Sequence, residues 1–188
     1  MRKTTPRAPQ AVYQLKITLR GAKPPIWRRV QVPADFTLKK LHRVIQLAMG
    51  WTDSHLHLFD VGGIHYSDPE FEVEETNNEA RIRLSQAAPV EKAKFRYEYD
   101  FGDSWDHEIL VEKILPPDPA VRYPICLTGK RACPPEDCGG VWGYAELLET
   151  LADPDSEDHE EMLEWLDGDF DPEEFDVEMT NAALTRAR

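Results

Sequence analysis

The chain has 188 residues, 41% of them apolar and 30% charged, with a formal net charge of −13. These proportions allow a real hydrophobic core, and the length favours one domain with an elaborated end over two. No apolar run approaches the roughly 18–20 residues that a bilayer crossing needs, which excludes a membrane span.

The start, Met-Arg-Lys-Thr-Thr-Pro-Arg-Ala-Pro, is basic with no apolar stretch behind it, so no secretory signal is expected. Together with only three cysteines this implies a reducing, cytoplasmic setting. The net charge hides an asymmetry. Residues 1–43 carry eleven Lys/Arg against one acid, Asp35, whereas residues 146–178 carry sixteen Asp/Glu and no Lys or Arg. A basic pole and an acidic pole therefore either face each other or serve different partners. Nucleic-acid binding through the basic pole is possible but disfavoured by the acidic bulk. For a protein partner, the acidic helices offer an apolar stripe of Met162, Leu163, Trp165 and Leu166, against packing of that stripe on the sheet.

Residues 1–11 are expected to be a flexible basic arm, and residues 12–188 a single domain. From Val12 to Arg20 the chain alternates, with Tyr13, Leu15, Ile17 and Leu19 on one face of a strand. Residues 21–25 turn, and residues 26–32 return as a second strand of a hairpin. Thr37 is placed to cap a helix over 38–49, with Leu38, Leu41, Val44, Ile45 and Ala48 inward and Gly50 as its stop. Residues 56–61 read as a strand closed by Gly62-Gly63. The acidic stretch 68–79 reads as a surface loop, with a short strand near Arg81–Leu84.

Phe95, Tyr97, Tyr99 and Phe101 then alternate with charged residues, and after a Gly102-Asp103-Ser104 turn the strand from Trp105 to Leu115 returns with His107, Ile109 and Val111 on one side. Prolines in 116–124 lead into a loop that holds all three cysteines. Helices fit 143–152 and 157–166, with a last helical piece after Pro172. The order of elements predicts an α+β fold, with a mixed, largely antiparallel sheet, an N-terminal helix and acidic C-terminal helices.

Six segments carry a resemblance. They are Pro-Pro-Ile-Trp-Arg-Arg (24–29), Leu-His-Arg-Val-Ile-Gln-Leu-Ala-Met-Gly-Trp (41–51), His-Leu-His-Leu-Phe (55–59), Tyr-Asp-Phe-Gly-Asp-Ser-Trp-Asp-His (99–107), Arg-Ala-Cys-Pro-Pro-Glu-Asp-Cys-Gly-Gly (131–140) and Met-Leu-Glu-Trp-Leu (162–166). In this order they resemble the plasmid pRiA4b ORF-3-like family, from about residue 12 to about 176. The resemblance implies a single α+β domain associated with plasmids and mobile elements, and no established activity. Members often read Asp-Pro-x-His-x-x-His near residue 153, where this chain has Ser156 and keeps only His159.

Members are often called transposon resolvases, and the residues do not support that chemistry. A serine recombinase needs a nucleophilic serine near its N-terminus, but the first serine is Ser54. A tyrosine recombinase wants a His-x-x-Arg pair, and none occurs.

Three constellations remain. Cys126, Cys133 and Cys138 with His159 offer a Cys3His set for a structural zinc, against simple packing of small buried thiols. Asp100, Asp103 and His107 on the aromatic hairpin, with His55 and His57, are candidates for hydrolase-type acid–base chemistry, against a capped turn and histidines bonded to backbone. Trp27, Arg28 and Arg29 put an aromatic beside cations, as binders of single-stranded nucleic acid do. Weighed together, these point to a non-catalytic binding or accessory module. A nucleic-acid-associated factor and a hydrolase are the alternatives.

Overall fold

The computed structural model describes residues 10–168 and 170–188, so most of the expected basic arm lies outside the described residues. The elements run β1 (Val12–Leu19), β2 (Ile26–Pro33), α1 (Leu38–Met49), β3 (His57–Val61), β4 (Ile64–Ser67), β5 (Asn77–Asn78), α2 (Leu84–Ala87), β6 (Lys94–Tyr99), β7 (Trp105–Leu115), β8 (Ile125–Lys130), α3 (Gly140–Ala152), α4 (His159–Trp165) and α5 (Val177–Leu184). Eight strands form one sheet in the order β5-β4-β3-β6-β7-β1-β2-β8. Every pair is antiparallel except β4 with β5. The α+β reading holds.

The period-two pattern of β1 puts Tyr13, Leu15, Ile17 and Leu19 in the core, beside Ile26, Val30 and Val32 of β2 and Ile109 and Val111 of β7. The opposite face of the same strands is charged, as an antiparallel sheet with one wet face allows. There Arg29 makes a two-pronged contact to Glu112 (2.6 and 2.8 Å), Arg96 does the same to Asp106 (3.0 and 2.5 Å), and Lys94 reaches Glu108 (3.0 Å). Four of the eight described cations of the basic pole pair with acids of the middle segment: Arg29 with Glu112, Arg20 with Asp106, Lys39 with Asp68 and Arg43 with Asp53. The acidic run 146–178 receives one described cation, Arg131, through Glu173.

Helix α1 begins where Thr37 accepts a hydrogen bond from Lys40 N and stops at Gly50, whose φ of 102° is left-handed. Capping is worth about 1 kcal/mol. Burial of Leu38, Leu41, Val44 and Ile45, all 0% exposed, contributes about 1.5–3 kcal/mol for each side chain and dominates. The buried stripe is wider than the apolar residues alone predict, since His42 and Gln46 are also buried.

Two expectations are corrected. Residues 81–84 form no strand; a 3-10 turn over Glu79–Arg81 leads into α2, and Arg83 keeps only an isolated bridge to Thr37. The stretch 68–79 is not wholly a surface loop, because Asp68 is buried against Lys39 and Glu79 is fully buried. Strands β4, β5 and β8 are additions to the predicted set.

Arg28 lies on the buried face of β2, opposite Arg29, as strand alternation requires. Its Nε donates to Ala48 O (2.9 Å) and its Nη1 to Trp27 O (3.0 Å) and Lys130 O (3.1 Å), while the guanidinium lies over the Phe175 ring. Ala48 belongs to the last turn of α1, where the carbonyls carry partial negative charge. A Cβ at Gly129 would fall 2.7 Å from Phe175 and 2.8 Å from Arg28 Cδ, so only glycine leaves room for this stack.

Replacing Arg28 by Met orphans three carbonyls and is expected to cost about 3 kcal/mol in urea unfolding. Gly129→Ala is expected to cost about 1–3 kcal/mol. A change under about 0.5 kcal/mol in both, the range of ordinary surface substitutions, would contradict this account.

Candidate functional site

The loop between β8 and α3 is drawn onto the sheet by a set of polar contacts, among them a bond from Thr52 N to Glu136 Oε2 (3.2 Å). Trp51 Nε1 donates to Pro134 O (3.1 Å), and Tyr99 Oη donates to Glu136 Oε1 (2.5 Å). Thr52 Oγ1 donates to Glu136 Oε2 (2.5 Å), and Gly139 N donates to Asp103 Oδ2 (3.2 Å). Two glycines permit the approach: a Cβ at Gly140 would lie 2.3 Å from Asp103 O, and one at Gly143 1.9 Å from Cys138 O. Burial together with the hydrogen bond to Glu136 raises the Tyr99 pKa, so the phenol stays protonated and serves as the donor.

This strap sets Asp137 beside the end of the sheet. His55 Nδ1 is 3.6 Å from Asp100 Oδ2, and His55 Nε2 is 3.4 Å from Asp137 Oδ1. One ligand atom from each of the three residues lies within 4.8 Å of the other two. Asp100 is buried, and its Oδ1 accepts from Gly102 N (2.9 Å).

Below this rim is a buried polar network on α1, β3 and β6. His42 Nε2 meets Asp53 Oδ1 (2.7 Å), His42 Nδ1 meets Tyr97 Oη (2.8 Å), and Gln46 Nε2 donates to Tyr97 Oη (2.9 Å). Burial lowers the His42 pKa, and the His42 hydrogen bond lowers that of Asp53. A neutral His42 therefore donates through Nε2 to the carboxylate and accepts the Tyr97 proton at Nδ1. The His57 ring stacks on His42 at 3.6 Å and 7°, and its Nε2 meets Glu79 Oε2 (2.8 Å). His57 Nδ1 and Glu79 Oε1 are buried without a hydrogen-bond partner among the described residues.

The candidates named from the sequence are distributed differently from the expected hairpin cleft. His55 and Asp100 come together on the rim. His57 turns inward to Glu79, and His107 is fully buried, separated from β3 by β6 and packed edge-on to Trp51. Asp103 Oδ2 accepts from Gly139 N and His107 Nδ1 meets Tyr97 O (3.3 Å), with no ion pair or hydrogen bond between the two side chains among the described residues. Trp27 and Arg29 share the open sheet face, where Arg29 and Lys16 lie over the indole, while Arg28 is on the other side.

Among the described residues the Cys3His set is not gathered into a compact ligand group. The Cys126 thiol points to Thr128 O, and His159 Nδ1 meets Thr150 O (3.0 Å). Burial raises the thiol pKa values, that of Cys138 to about 12 and that of Cys133 further, so these thiols are protonated as they stand. Sequence reasoning missed Asp137, which the neighbouring cysteines overshadowed, and the His42–Asp53 and His57–Glu79 pairs. The signal for His42 was its place beside the apolar stripe of α1, with Ile45, Gln46 and Met49 at helical spacing.

The third feature is a groove of about 340 Å³ between α3 and α4, lined by Asp137, Glu146 and Asp158 and by Leu147, Met162 and Trp165. Trp142, one turn before Glu146 on α3, is 82% exposed.

These elements define an α+β protein built on a one-faced sheet, with an acidic groove and a His/Asp rim beside a strapped loop. Residues 11–179 match the plasmid pRiA4b ORF-3-like protein family, and the chain belongs to that family. It is 41% identical over 177 residues to the uncharacterized protein y4hQ of Sinorhizobium fredii, covering 93% of this chain and 91% of that one. The crystal structure of a protein of unknown function, MM3350, from Methanosarcina mazei Go1 superposes with a TM-score of 0.84 at 42% identity, covering 91% of this chain and 98% of that one. No helix among the described residues is long and apolar enough to cross a membrane.

Burial lowers the His107 pKa to about 4. An unfolded histidine titrates near 6.5, so between about pH 6.5 and 4 the unfolded chain binds a proton that the folded chain does not. Stability is therefore expected to fall through that window as the solution is acidified, by up to about 3 kcal/mol from His107. Urea unfolding of His107→Phe should show a flatter dependence there than the parent, and parallel curves would refute the assignment.

Proposed function

We propose that this protein is a non-catalytic binding module that takes a basic segment of a partner protein into the groove between α3 and α4. The observation that carries this reading is the groove itself. Asp137, Glu146 and Asp158 stand around Leu147, Met162 and Trp165, within a region whose 16 acids between residues 146 and 178 have no Lys or Arg among them. An apolar floor with a one-sign rim suits a chain segment that presents a large apolar side chain flanked by Lys or Arg. Steering comes from the charges and residence time from the buried anchor. Trp142, exposed one turn before Glu146 on α3, is a further apolar side chain on that helix.

The nucleic-acid reading has less support, because the cations at residues 28 and 29 are engaged within the fold. A hydrolase built on Asp103 and His107 has less still, since a substrate has no path to a fully buried ring.

The test is a titration with a labelled peptide that carries four arginines around one leucine, followed by fluorescence anisotropy. Saturable one-to-one binding is expected, weakening with added salt. Trp165→Ala and Glu146→Lys are each expected to weaken it about tenfold, equivalent to about 1.4 kcal/mol. Glu74→Lys, an exposed reversal that does not line the groove, should leave it nearly unchanged. If Glu74→Lys weakens binding as much as Glu146→Lys, or Trp165→Ala does nothing, the groove is not the site.

A further inference from the structure

We propose that His55, Asp100 and Asp137 bind one first-row divalent cation of the Mn2+ or Zn2+ class at the rim of the sheet. The site shares Asp137 with the neighbouring groove, and its test reads metal uptake with no peptide present.

The three residues come from different segments: the approach to β3, the end of β6 and the strapped loop. One ligand atom from each lies within 4.8 Å of the others. Ligands about 2.1 Å from a shared tetrahedral or octahedral ion are about 3.0–3.4 Å apart, so small side-chain rotations suffice to close the set. The 3.6 and 3.4 Å contacts of the imidazole with its two carboxylates are ion-pair approaches that lack hydrogen-bond geometry. The ring is thus held between two anions by none of the directional bonds that fix His42 and His57.

The second observation concerns Asp100. The residue is 7% exposed, and its Oδ1 is satisfied by Gly102 N, yet Oδ2 receives no hydrogen bond among the described residues and faces His55. The Asp100 side chain keeps 11% of its surface exposed, so this oxygen is not sealed in the core and is free to meet a cation at the rim.

The donor set narrows the ion. Carboxylates alone would suit Mg2+ or Ca2+, while an imidazole among them favours first-row metals. Three protein ligands leave positions open to water or to another ligand, unlike a closed four-ligand structural site. His55 can hold the ion through one ring nitrogen while a carboxylate at the other nitrogen orients the ring.

Calorimetric titration of the chelator-treated full chain with Mn2+, repeated with Zn2+, tests this. One ion per chain is expected to bind. His55→Ala and Asp100→Asn should each weaken binding at least about tenfold, whereas Cys133→Ser and His159→Ala should leave it unchanged. Asn is isosteric with Asp and keeps the acceptor for Gly102 N, and the thermal melt of each variant without metal shows whether its fold is intact. Three results would overturn the proposal: no saturable uptake at about 1 mM free ion, a metal affinity too weak to count as a site; uptake unaltered in folded His55→Ala and Asp100→Asn; or uptake lost in Cys133→Ser, which would move the metal to the cysteines.

Discussion

A buried guanidinium that makes no ion pair among the described residues organises this molecule. A guanidinium does not shed its charge at ordinary pH, and burial lowers the Arg28 pKa. The charge is tolerated because carbonyls of β2, the α1 terminus and β8 converge on it and the Phe175 ring covers it. One side chain therefore ties the sheet to its first helix, its edge strand and the segment before α5. The position of α5 follows from that junction, since α5 packs against both α1 and β8. The glycine at 129 is the space the junction needs.

The loop that follows β8 depends on the same junction at one end and on the aromatic hairpin at the other. Glu136 takes hydrogen bonds from Thr52 and Tyr99, and Asp103 takes one from Gly139. Residues 140 and 143 carry no side chain because backbone carbonyls occupy that volume. What looks in the sequence like a cysteine motif works in the fold as a strap that delivers Asp137 to His55 and Asp100. The cysteines themselves pack against the core, and burial raises their thiol pKa values.

The buried histidines show a different limit. Strand alternation correctly gave His107 the same face as Ile109 and Val111, and that face proved to be the core. An inward-facing histidine reads equally as a cleft residue or as a core residue until the cover is known. Here the covers are Trp51 for His107 and the His42 ring for His57. The acidic stretch 68–79 posed the same problem in reverse: nothing local marks Glu79 as buried, because its partner His57 is on another strand.

Local patterns by themselves determined β1, β2, α1 with its Thr37 cap and Gly50 stop, the β6–β7 hairpin and the acidic helices. Each is decided by periodicity or by one residue's backbone preference, and such information is carried by neighbours in the chain. The resemblance to the plasmid pRiA4b ORF-3-like family was legible too, in six ordered segments. Tertiary structure alone decided which charges pair, which histidines are enclosed, and that Asp137 rather than a thiol joins His55 and Asp100. Those outcomes are contacts between distant residues, and their energies come from desolvation and geometry that no stretch of sequence encodes alone.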